Sequence, residues 1–296
     1  MMNDVEFEAW IDAQLDAVED ALQRWVPSSA PAGLGAAMRY GVLDGGKRLR
    51  PLLVMAAADA VRGQRDAALR ASCAVELIHA YSLVHDDMPC MDDDVLRRGK
   101  PTVHVQFGEA QAMLAGDAMQ ALAFEVLTPE EGMPPVLQAR LCGLLARAAG
   151  HAGMAGGQAI DLASVGKPLD ESALRDMHHR KTGALLQASV MMGAACGEAS
   201  SKALSAFGRY GEAIGLAFQV IDDVLDVTQA SAKLGKTAGK DFDANKPTYV
   251  SVLGLDAAIR HAQDLRDQAQ CAMASSGLTD IRLLRRLADK VVERDS

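Results

Sequence analysis

The chain contains the segments ELIHAYSLVHDDMPCMDDD at residues 76–94 and AFQVIDDVLDV at residues 217–227. In both segments an apolar run of helical period leads into closely spaced aspartates. The main members of the two clusters are Asp86, Asp87, Asp92, Asp222, Asp223 and Asp226. Carboxylates crowded this closely raise one another's pKa unless a cation lies between them, and their hard oxygens suit Mg²⁺. The two clusters therefore predict a site for several Mg²⁺ ions that binds a polyanion, most naturally a diphosphate.

The second cluster has the pattern of an amphipathic helix. At about 100° per residue, Gly215, Gln219, Asp222 and Asp226 fall within roughly 60° of one another. The rest of the helix surface is apolar and carries Ile214, Ala217, Val220, Ile221, Val224 and Val227. This pattern predicts a helix that buries its apolar side in a bundle and turns an acidic stripe towards an internal cavity.

The first cluster is predicted to lie at a helix end. His79 falls about 20° from Asp86 around the helix. Pro89 removes a backbone N–H and disfavours helical geometry at Met88, so the helix is expected to end here. Asp92 and the two aspartates after it should then continue on a loop that bends back towards the metal. One acidic run alone is more often a solvated face, but two such clusters argue against that interpretation.

Positive charges lie where a diphosphate would need them. GGKRLRP occupies residues 45–51, VLRRGKP residues 95–101 and KTG residues 181–183. Arginine forks match the oxygens of phosphate. The later run LGKTAGKD (234–241) lacks the GxxxxGK[ST] spacing and follows no strand pattern, which favours a diphosphate clamp or lid over a nucleotide phosphate loop.

With these motifs the chain resembles the trans-isoprenyl diphosphate synthases, in particular the bacterial farnesyl diphosphate synthase type. The segments that carry the resemblance run in the family's order: GGKRLRP (45–51), ELIHAYSLVHDDMPCMDDDVLRRGKPTVH (76–104), GDAMQALAFEVL (116–127), GQAIDL (157–162), HRKTGAL (179–185), AFQVIDDVLDV (217–227) and LGKTAGKD (234–241). The resemblance implies an all-α helical bundle with a central active-site cavity. No linker divides the sequence, so residues 1–296 are expected to form one domain.

The resemblance also implies a role for each site residue. Asp86, Asp92 and Asp222 would be the principal ligands of about three Mg²⁺ ions, supported by Asp87, Asp223 and Asp226. The isopentenyl diphosphate site would comprise Lys47, Arg50, His79 and Arg98. The allylic diphosphate site would comprise Arg97, Lys181, Thr182, Gln219, Lys236 and Lys246. The loop that bears Lys236 and Lys246 varies in length across the family, so the alignment of these two lysines with the family's residues is open to a shift of one position.

The implied reaction explains these residue types. An allylic diphosphate must lose pyrophosphate to leave a carbocation, and Mg²⁺ with Arg and Lys stabilises the leaving group. The cation must meet isopentenyl diphosphate before water, which calls for an apolar, closed cavity. The residues expected to act in catalysis are Asp86, Asp87, Asp92, Arg97, Lys181, Thr182, Gln219, Asp222 and Asp223. No side-chain nucleophile is needed, and no Ser/His/Asp triad is found in the sequence.

Product length is expected to depend on Tyr81 and Ser82. They precede Asp86 by five and four residues and so lie about 7.5 and 6 Å along the helix from the metal end. In the family that the chain resembles, farnesyl diphosphate is the product of members with an aromatic residue at the position of Tyr81 and two extra residues between Asp87 and Asp92. A fifteen-carbon product is therefore expected, with geranylgeranyl or geranyl diphosphate as alternatives. Ordinary core packing of Tyr81, with a floor elsewhere at Met113 or Met119, is the competing interpretation.

Two other classes of function remain as alternatives. A terpene cyclase shares an aspartate-rich motif, but it has no use for a second diphosphate site such as residues 45–51. A non-catalytic synthase subunit would be expected to lose acidic motifs, and both are intact here.

Composition bounds the partners. The net charge of −9 argues against nucleic acid, and no segment has the apolar length needed to span a bilayer. No secretory n-region is present and the five cysteines lack CxxC spacing, so a cytoplasmic protein with reduced thiols is expected. The expected partners are small diphosphate substrates and a second copy of the chain in a homodimer. His85 and His178 are interpreted as polar helix residues. Breaks are predicted at residues 27–35, 128–135, 150–167 and 231–247.

Overall fold

The structure, a computed structural model, describes residues 2–43, 45–167, 169–228 and 248–294. Its helices are α1 Asp4–Trp25, α2 Leu34–Val42, α3 Leu49–Ala60, α4 Arg65–Asp86, α5 Val103–Phe107, α6 Glu109–Leu127, α7 Pro135–Ala149, α8 Met154–Ala163, α9 Glu171–His178, α10 Ala184–Ala195, α11 Ser201–Thr228, α12 Tyr249–Leu253, α13 Leu255–Ala274 and α14 Arg282–Val292. The remaining elements are a 3₁₀ turn at Pro31–Gly33, a π-helical turn at His179–Gly183 and the short antiparallel strands β1 Leu96–Arg97 and β2 Lys100–Pro101. The prediction of an all-α fold is confirmed.

Two long helices, α4 and α11, organise the bundle. The apolar core around α4 is shared with α1, α2, α6 and α7, and Leu77 and Ile78 are fully buried in it. The core around α11 is shared with α3, α10, α13 and α14, and Phe207 and Tyr210 are fully buried there. Each such side chain contributes about 1.5–3 kcal/mol by leaving water. The helices that end in the two aspartate clusters are therefore each fixed by a core of their own.

Helix α4 is apolar because it lies in the middle of the bundle. Among the described residues it is the one helix long and apolar enough to cross a membrane, which corrects the expectation that no segment reaches that length. Of its most apolar window, 67% is buried in the protein. Its apolar residues are covered by neighbouring helices of the same chain. This is the pattern of a core helix.

A buried ion pair attaches the basic loop at residues 45–50 to the bundle. The Arg48 guanidinium lies 2.6 Å from a carboxylate oxygen of Glu76 on α4 and 2.6 Å from one of Glu19 on α1, and it also donates to the Val42 carbonyl. The Arg48 side chain is 2% exposed, and the backbone at Arg48 has a positive φ of 43°. The loop is thus held in an unusual backbone conformation by charge-assisted hydrogen bonds.

The predicted chain breaks are correct in two places and partly correct in a third. Helices end and begin around residues 27–35 and 128–135 as expected, whereas the glycine-rich stretch at 150–167 is non-helical at both ends but contains the helix α8 between them. A Cβ at Gly157 would lie 2.1 Å from the backbone nitrogen of Lys181, so this glycine allows close helix packing instead of ending a helix. The break predicted at 231–247 lies outside the described residues.

The predicted burial of α11 needs one correction. Val220, Ile221 and Val224 are buried as expected, but Val227 is 56% exposed. Val227 lies in the last turn of the helix.

We expect Glu76→Ala to lower the free energy of unfolding by about 3 kcal/mol or more, because it leaves the buried Arg48 charge without its main partner. Urea unfolding followed by circular dichroism measures this loss. Glu19→Ala is the matched control, since it removes the second carboxylate on the same arginine from a side chain that is 27% exposed. Equal losses in the two variants would contradict the assignment of Glu76 as the principal partner.

Candidate active site

A cavity of about 660 Å³ lies between α4, α8, the π-helical turn and α11. It collects most of the residues predicted from the sequence: Arg50, His79, Tyr81, Ser82, Asp86, Asp92, Arg97, Arg98, Lys181, Thr182, Gln219, Asp222 and Asp223. Lys47, Asp87 and Asp226 are described but do not line it. Lys236 and Lys246 lie outside the described residues. The two aspartate clusters and the basic motifs, which are far apart in the chain, therefore meet at one place.

The loop after α4 folds back as predicted. The backbone N–H of Asp92 donates to the Asp86 carbonyl at 2.9 Å, and that of Asp94 donates to the Asp87 carbonyl at 3.1 Å. Pro89 lies in this turn, three residues after the last helical residue. The Asp86 and Asp92 side chains consequently line the same end of the cavity.

The carboxylates at this end suit a divalent cation. Burial raises the pKa of Asp86 to about 6, and Asp92 and Asp87 push it in the same direction against Lys181 and Arg97. A cation bound there would stabilise the ionised form. Within the described ranges, no three acidic, histidine or cysteine side chains lie close enough to form a metal site by themselves. The donor set thus fits Mg²⁺ if a bound diphosphate contributes oxygens between the two clusters.

Asp87 holds an arginine in place. Its carboxylate accepts from Nε of Arg97 at 2.8 and 3.0 Å and from Nη2 at 2.5 Å, and the Asp87 side chain is 3% exposed. This two-pronged geometry is the strong form of an arginine–carboxylate pair. In this structure Asp87 therefore positions Arg97 at the cavity wall, while its predicted role as a metal ligand stays a prediction.

A chain of hydrogen bonds runs along the acidic stripe of α11. The Thr182 hydroxyl donates to Oε1 of Gln219 at 3.1 Å, and the Gln219 amide donates to Oδ1 of Asp223 at 2.9 Å. The backbone N–H of Tyr249 donates to the other carboxylate oxygen of Asp223 at 2.7 Å. Asp223 is thus oriented from both sides, and Asp226, one turn away, is buried.

The carboxylate of Asp222 meets an arginine that sequence reasoning missed. The Arg294 guanidinium, which follows α14, donates to Asp222 at 3.0 Å and to the Phe218 carbonyl at 3.0 Å. Its guanidinium carbon lies 4.0 Å from the centre of the Phe218 ring. Asp222 and Arg294 are 72 residues apart and belong to no common motif, so no sequence signal pairs them.

Helix α8 adds two more residues that the sequence did not assign. Gln158 and Asp161 both line the cavity, and Nζ of Lys181 donates to Asp161 at 2.5 Å. The segment GQAIDL was noted as a motif, and the spacing of three residues between Gln158 and Asp161 was the available signal. His178 is a further buried residue of the lining, and burial lowers its pKa to about 4, so its imidazole is neutral.

Arg50, at the end of the basic loop, and Arg98, between β1 and β2, contribute cations to the cavity lining. Arg98 donates to the Gly45 carbonyl, and its guanidinium lies against Gly46, whose positive φ of 121° favours glycine. Nε of Arg50 is buried without a protein hydrogen-bond partner, and burial lowers the pKa of Arg50. Burial and the neighbouring arginines hold the pKa of His79 well below its usual value, so His79 is neutral.

Lys47 is exposed and lies just outside the lining. Burial of part of its side chain lowers the pKa of Lys47, the nearby Arg294 lowers it further, and Asp222 opposes them. Lys47 is therefore close enough to the second cluster to interact with a ligand that bridges the cavity. Apolar side chains line the remaining wall, namely Tyr81, Met154, Leu162 and Phe218. One cavity thus combines carboxylates, cations and an apolar wall, which suits a diphosphate with a hydrocarbon tail.

Known proteins agree with this arrangement. Residues 31–277 match the family model of polyprenyl synthetase. The chain is 44% identical to farnesyl diphosphate synthase of Escherichia coli (strain K12), over 98% of this chain and 100% of that protein. It is 42% identical to the large subunit 1 of heterodimeric geranylgeranyl pyrophosphate synthase, chloroplastic, of Arabidopsis thaliana, over 98% of this chain and 80% of that protein.

Solved structures show the same fold. An FPP/GFPP synthase from Zymomonas mobilis matches with a TM-score of 0.86 and 41% identity, covering 97% of this chain and 99% of that one. Geranylgeranyl pyrophosphate synthetase from Pyrococcus horikoshii matches with a TM-score of 0.89 and 32% identity, covering 98% and 99%. With both aspartate motifs lining one cavity and these matches along nearly the whole sequence, the chain belongs to the polyprenyl synthetase family of prenyltransferases.

Proposed function

We propose that the chain is an Mg²⁺-dependent farnesyl diphosphate synthase. It would condense isopentenyl diphosphate head to tail with dimethylallyl diphosphate and then with geranyl diphosphate, releasing pyrophosphate each time. The observation that carries this proposal is the meeting of both aspartate clusters and two sets of basic residues around one cavity with an apolar wall. The similarity to the Escherichia coli farnesyl diphosphate synthase supports the reaction class, and the farnesyl product is proposed from Tyr81 and Ser82 because geranylgeranyl synthases match at a similar identity.

The acidic end would hold the metal and the allylic diphosphate. Asp86 and Asp92 would supply ligands from α4 and its loop, and Asp222 would supply them from α11, for about three ions in all. Mg²⁺ supplies Lewis-acid stabilisation of the departing pyrophosphate when it is bound. Lys181 and Arg97 already lie at the cavity wall with their charges directed by Asp161 and Asp87, so they need little rearrangement to meet phosphate oxygens.

The π-helical turn at His179–Gly183 would serve the carbocation. Such turns offset the backbone from the regular helical ladder and often occur at functional sites. The turn contains Lys181 and Thr182, and the Thr182 hydroxyl is directed by Gln219. We infer that the Thr182 hydroxyl, the Gln219 side chain and the Lys181 carbonyl face the allylic cation. The released pyrophosphate would accept the proton lost at the end of the condensation.

The basic loop would hold isopentenyl diphosphate. Arg50 has a buried nitrogen without a protein partner, and Arg98 is fixed against the loop by the Gly45 carbonyl. Burial and the neighbouring arginines lower the pKa of His79, and a neutral imidazole can both donate and accept a hydrogen bond. Holding the second substrate at a fixed site makes the carbon–carbon bond step effectively unimolecular.

Two further properties belong to this proposal. We infer a homodimer, because Val105 of α5 and Met113 and Leu114 of α6 are apolar side chains that are 40–53% exposed. Exposed apolar side chains of this kind suit an interface with a second copy. We infer a cytoplasmic location from the similarity to a bacterial enzyme along its entire length; the plant relatives are named as chloroplastic.

We expect Asp222→Ala to lower turnover by roughly 10³-fold, because the second cluster loses its principal metal ligand. A steady-state assay with geranyl diphosphate, isopentenyl diphosphate and Mg²⁺ measures the loss, and circular dichroism should show unchanged helical content. EDTA should abolish wild-type activity and Mg²⁺ should restore it. Asp267→Ala, at a carboxylate that is 62% exposed, is the control for charge alone. Unchanged turnover in Asp222→Ala would overturn the metal assignment.

We expect Arg50→Ala to raise the KM for isopentenyl diphosphate by about tenfold or more, given roughly 1.5–3 kcal/mol for a charge-assisted contact. The KM for the allylic substrate should change less. Arg140→Ala, at an exposed arginine on α7, should change neither constant. If Arg50→Ala instead weakened allylic binding alone, the assignment of the two diphosphate sites would have to be exchanged.

Tyr81 and Ser82 line the cavity, so we expect the double change Tyr81→Ala with Ser82→Ala to extend the product to twenty carbons or beyond. Ser82→Phe should shift the product towards ten carbons, because it fills the same space. Chromatography of the dephosphorylated products measures both effects. If neither variant alters the product length, the floor of the cavity lies elsewhere. A twenty-carbon product from the wild type would instead make the chain a geranylgeranyl diphosphate synthase, the activity named for the plant relatives.

A further inference from the structure

Tyr81 has a neighbour that no part of the proposed reaction uses. The imidazole of His85 meets the Tyr81 ring edge to face, with centroids 5.7 Å apart and an angle of 76° between the planes. Both residues line the cavity, and both lie on α4 within one turn of each other. Such an edge contact favours one orientation of the phenol ring over others.

His85 is itself held by the neighbouring helix α6. Its Nε2 lies 3.0 Å from the carbonyl oxygen of Met113, and since a carbonyl can only accept, Nε2 carries the proton and donates. The ring rests directly on Gly116, where an added Cβ would lie 2.1 Å from Nε2 and 2.5 Å from Cδ2. Gly116 is buried. Ala112, Ala115 and Met119, on the same helix, are fully buried in the core that α6 shares with α4.

We propose that His85, seated on Gly116 of α6, is a positioning residue that fixes Tyr81 and thereby sets the length of the product. This inference rests on the proposed function, in which Tyr81 forms the floor that the growing chain meets. Product length then depends on α6 as well as on α4, through a side chain that touches no diphosphate group. The glycine at 116 is required because any side chain there would push the imidazole towards the cavity.

Two single changes should act in opposite directions. Gly116→Ala moves the His85 ring off α6 and into the cavity, so the ratio of ten-carbon to fifteen-carbon product should rise by about tenfold or more. His85→Ala removes the support, so Tyr81 can turn aside and longer products should increase. Both ratios are measured by chromatography of dephosphorylated products, and a ratio does not depend on how fast each variant turns over.

The double variant gives the sharper test. A methyl group at residue 116 has no ring to displace once His85 is gone, so Gly116→Ala with His85→Ala should give the product ratio of His85→Ala alone. Gly208→Ala is the matched control: Gly208 also lies within a helix, α11, but a Cβ there meets nothing within 4 Å, and its product ratio should equal that of the wild type. Circular dichroism and thermal unfolding confirm that each variant is folded.

The outcomes separate this inference from the proposed function. If Tyr81→Ala with Ser82→Ala changes the product while Gly116→Ala does not, the floor stands and the role of His85 is refuted. If Gly116→Ala shifts the product equally with and without His85, the effect does not pass through the imidazole and the inference is likewise refuted. A wild-type product other than farnesyl diphosphate would alter the proposed function, but the shifts relative to that product would still test His85.

Discussion

The structure has to hold several carboxylates around one partly buried cavity, and the way it balances their charge determines much of the remaining architecture. Asp87 is paired with Arg97, Asp161 with Lys181 and Asp222 with Arg294. Asp86 is left with a raised pKa of about 6. Because attraction between charges strengthens as water is excluded, each pair also fixes the elements that carry it. The strand β1, the π-helical turn and the end of α14 are tied in this way to α4, α8 and α11.

The same pairs prepare the site for its substrates. A diphosphate is an acceptor of hydrogen bonds from cations, and Arg97 and Lys181 already lie at the cavity wall in orientations set by carboxylates behind them. Groups that are oriented in advance lose little freedom on binding, which is the basis of electrostatic catalysis. Arg294 differs, since it contacts Asp222, the proposed metal ligand itself. A divalent cation at Asp222 would share this carboxylate with the guanidinium.

Features that depend on local sequence were predictable, and features that depend on distant contacts were not. The helical period before each aspartate cluster, the helix end near Pro89 and the places of Tyr81 and Ser82 on α4 follow from spacing along one helix. The helix α8 was missed because its glycines have low helix propensity, and they are explained only by close backbone approaches, of Gly156 to the His151 carbonyl and of Gly157 to Lys181. The charge pairs were missed because Asp161 and Lys181 are 20 residues apart, and Asp222 and Arg294 are 72.

In the proposed function, the geometry of α4 links the chemistry to the size of the product. Tyr81, Ser82, His85 and Asp86 all line the cavity within about two turns of one helix, so the rise of about 1.5 Å per residue fixes the distance between the proposed floor and the proposed metal ligands. Leu77 and Ile78 are fully buried in the preceding turn, and the core around them resists a shift of the backbone. If Tyr81 and Ser82 form the floor as proposed, the size and orientation of their side chains would change the product length while the aspartates keep their places. The proposed support fits this requirement: His85 of α4 contacts Tyr81 and rests on Gly116 of α6, so it would adjust the proposed floor without moving α4.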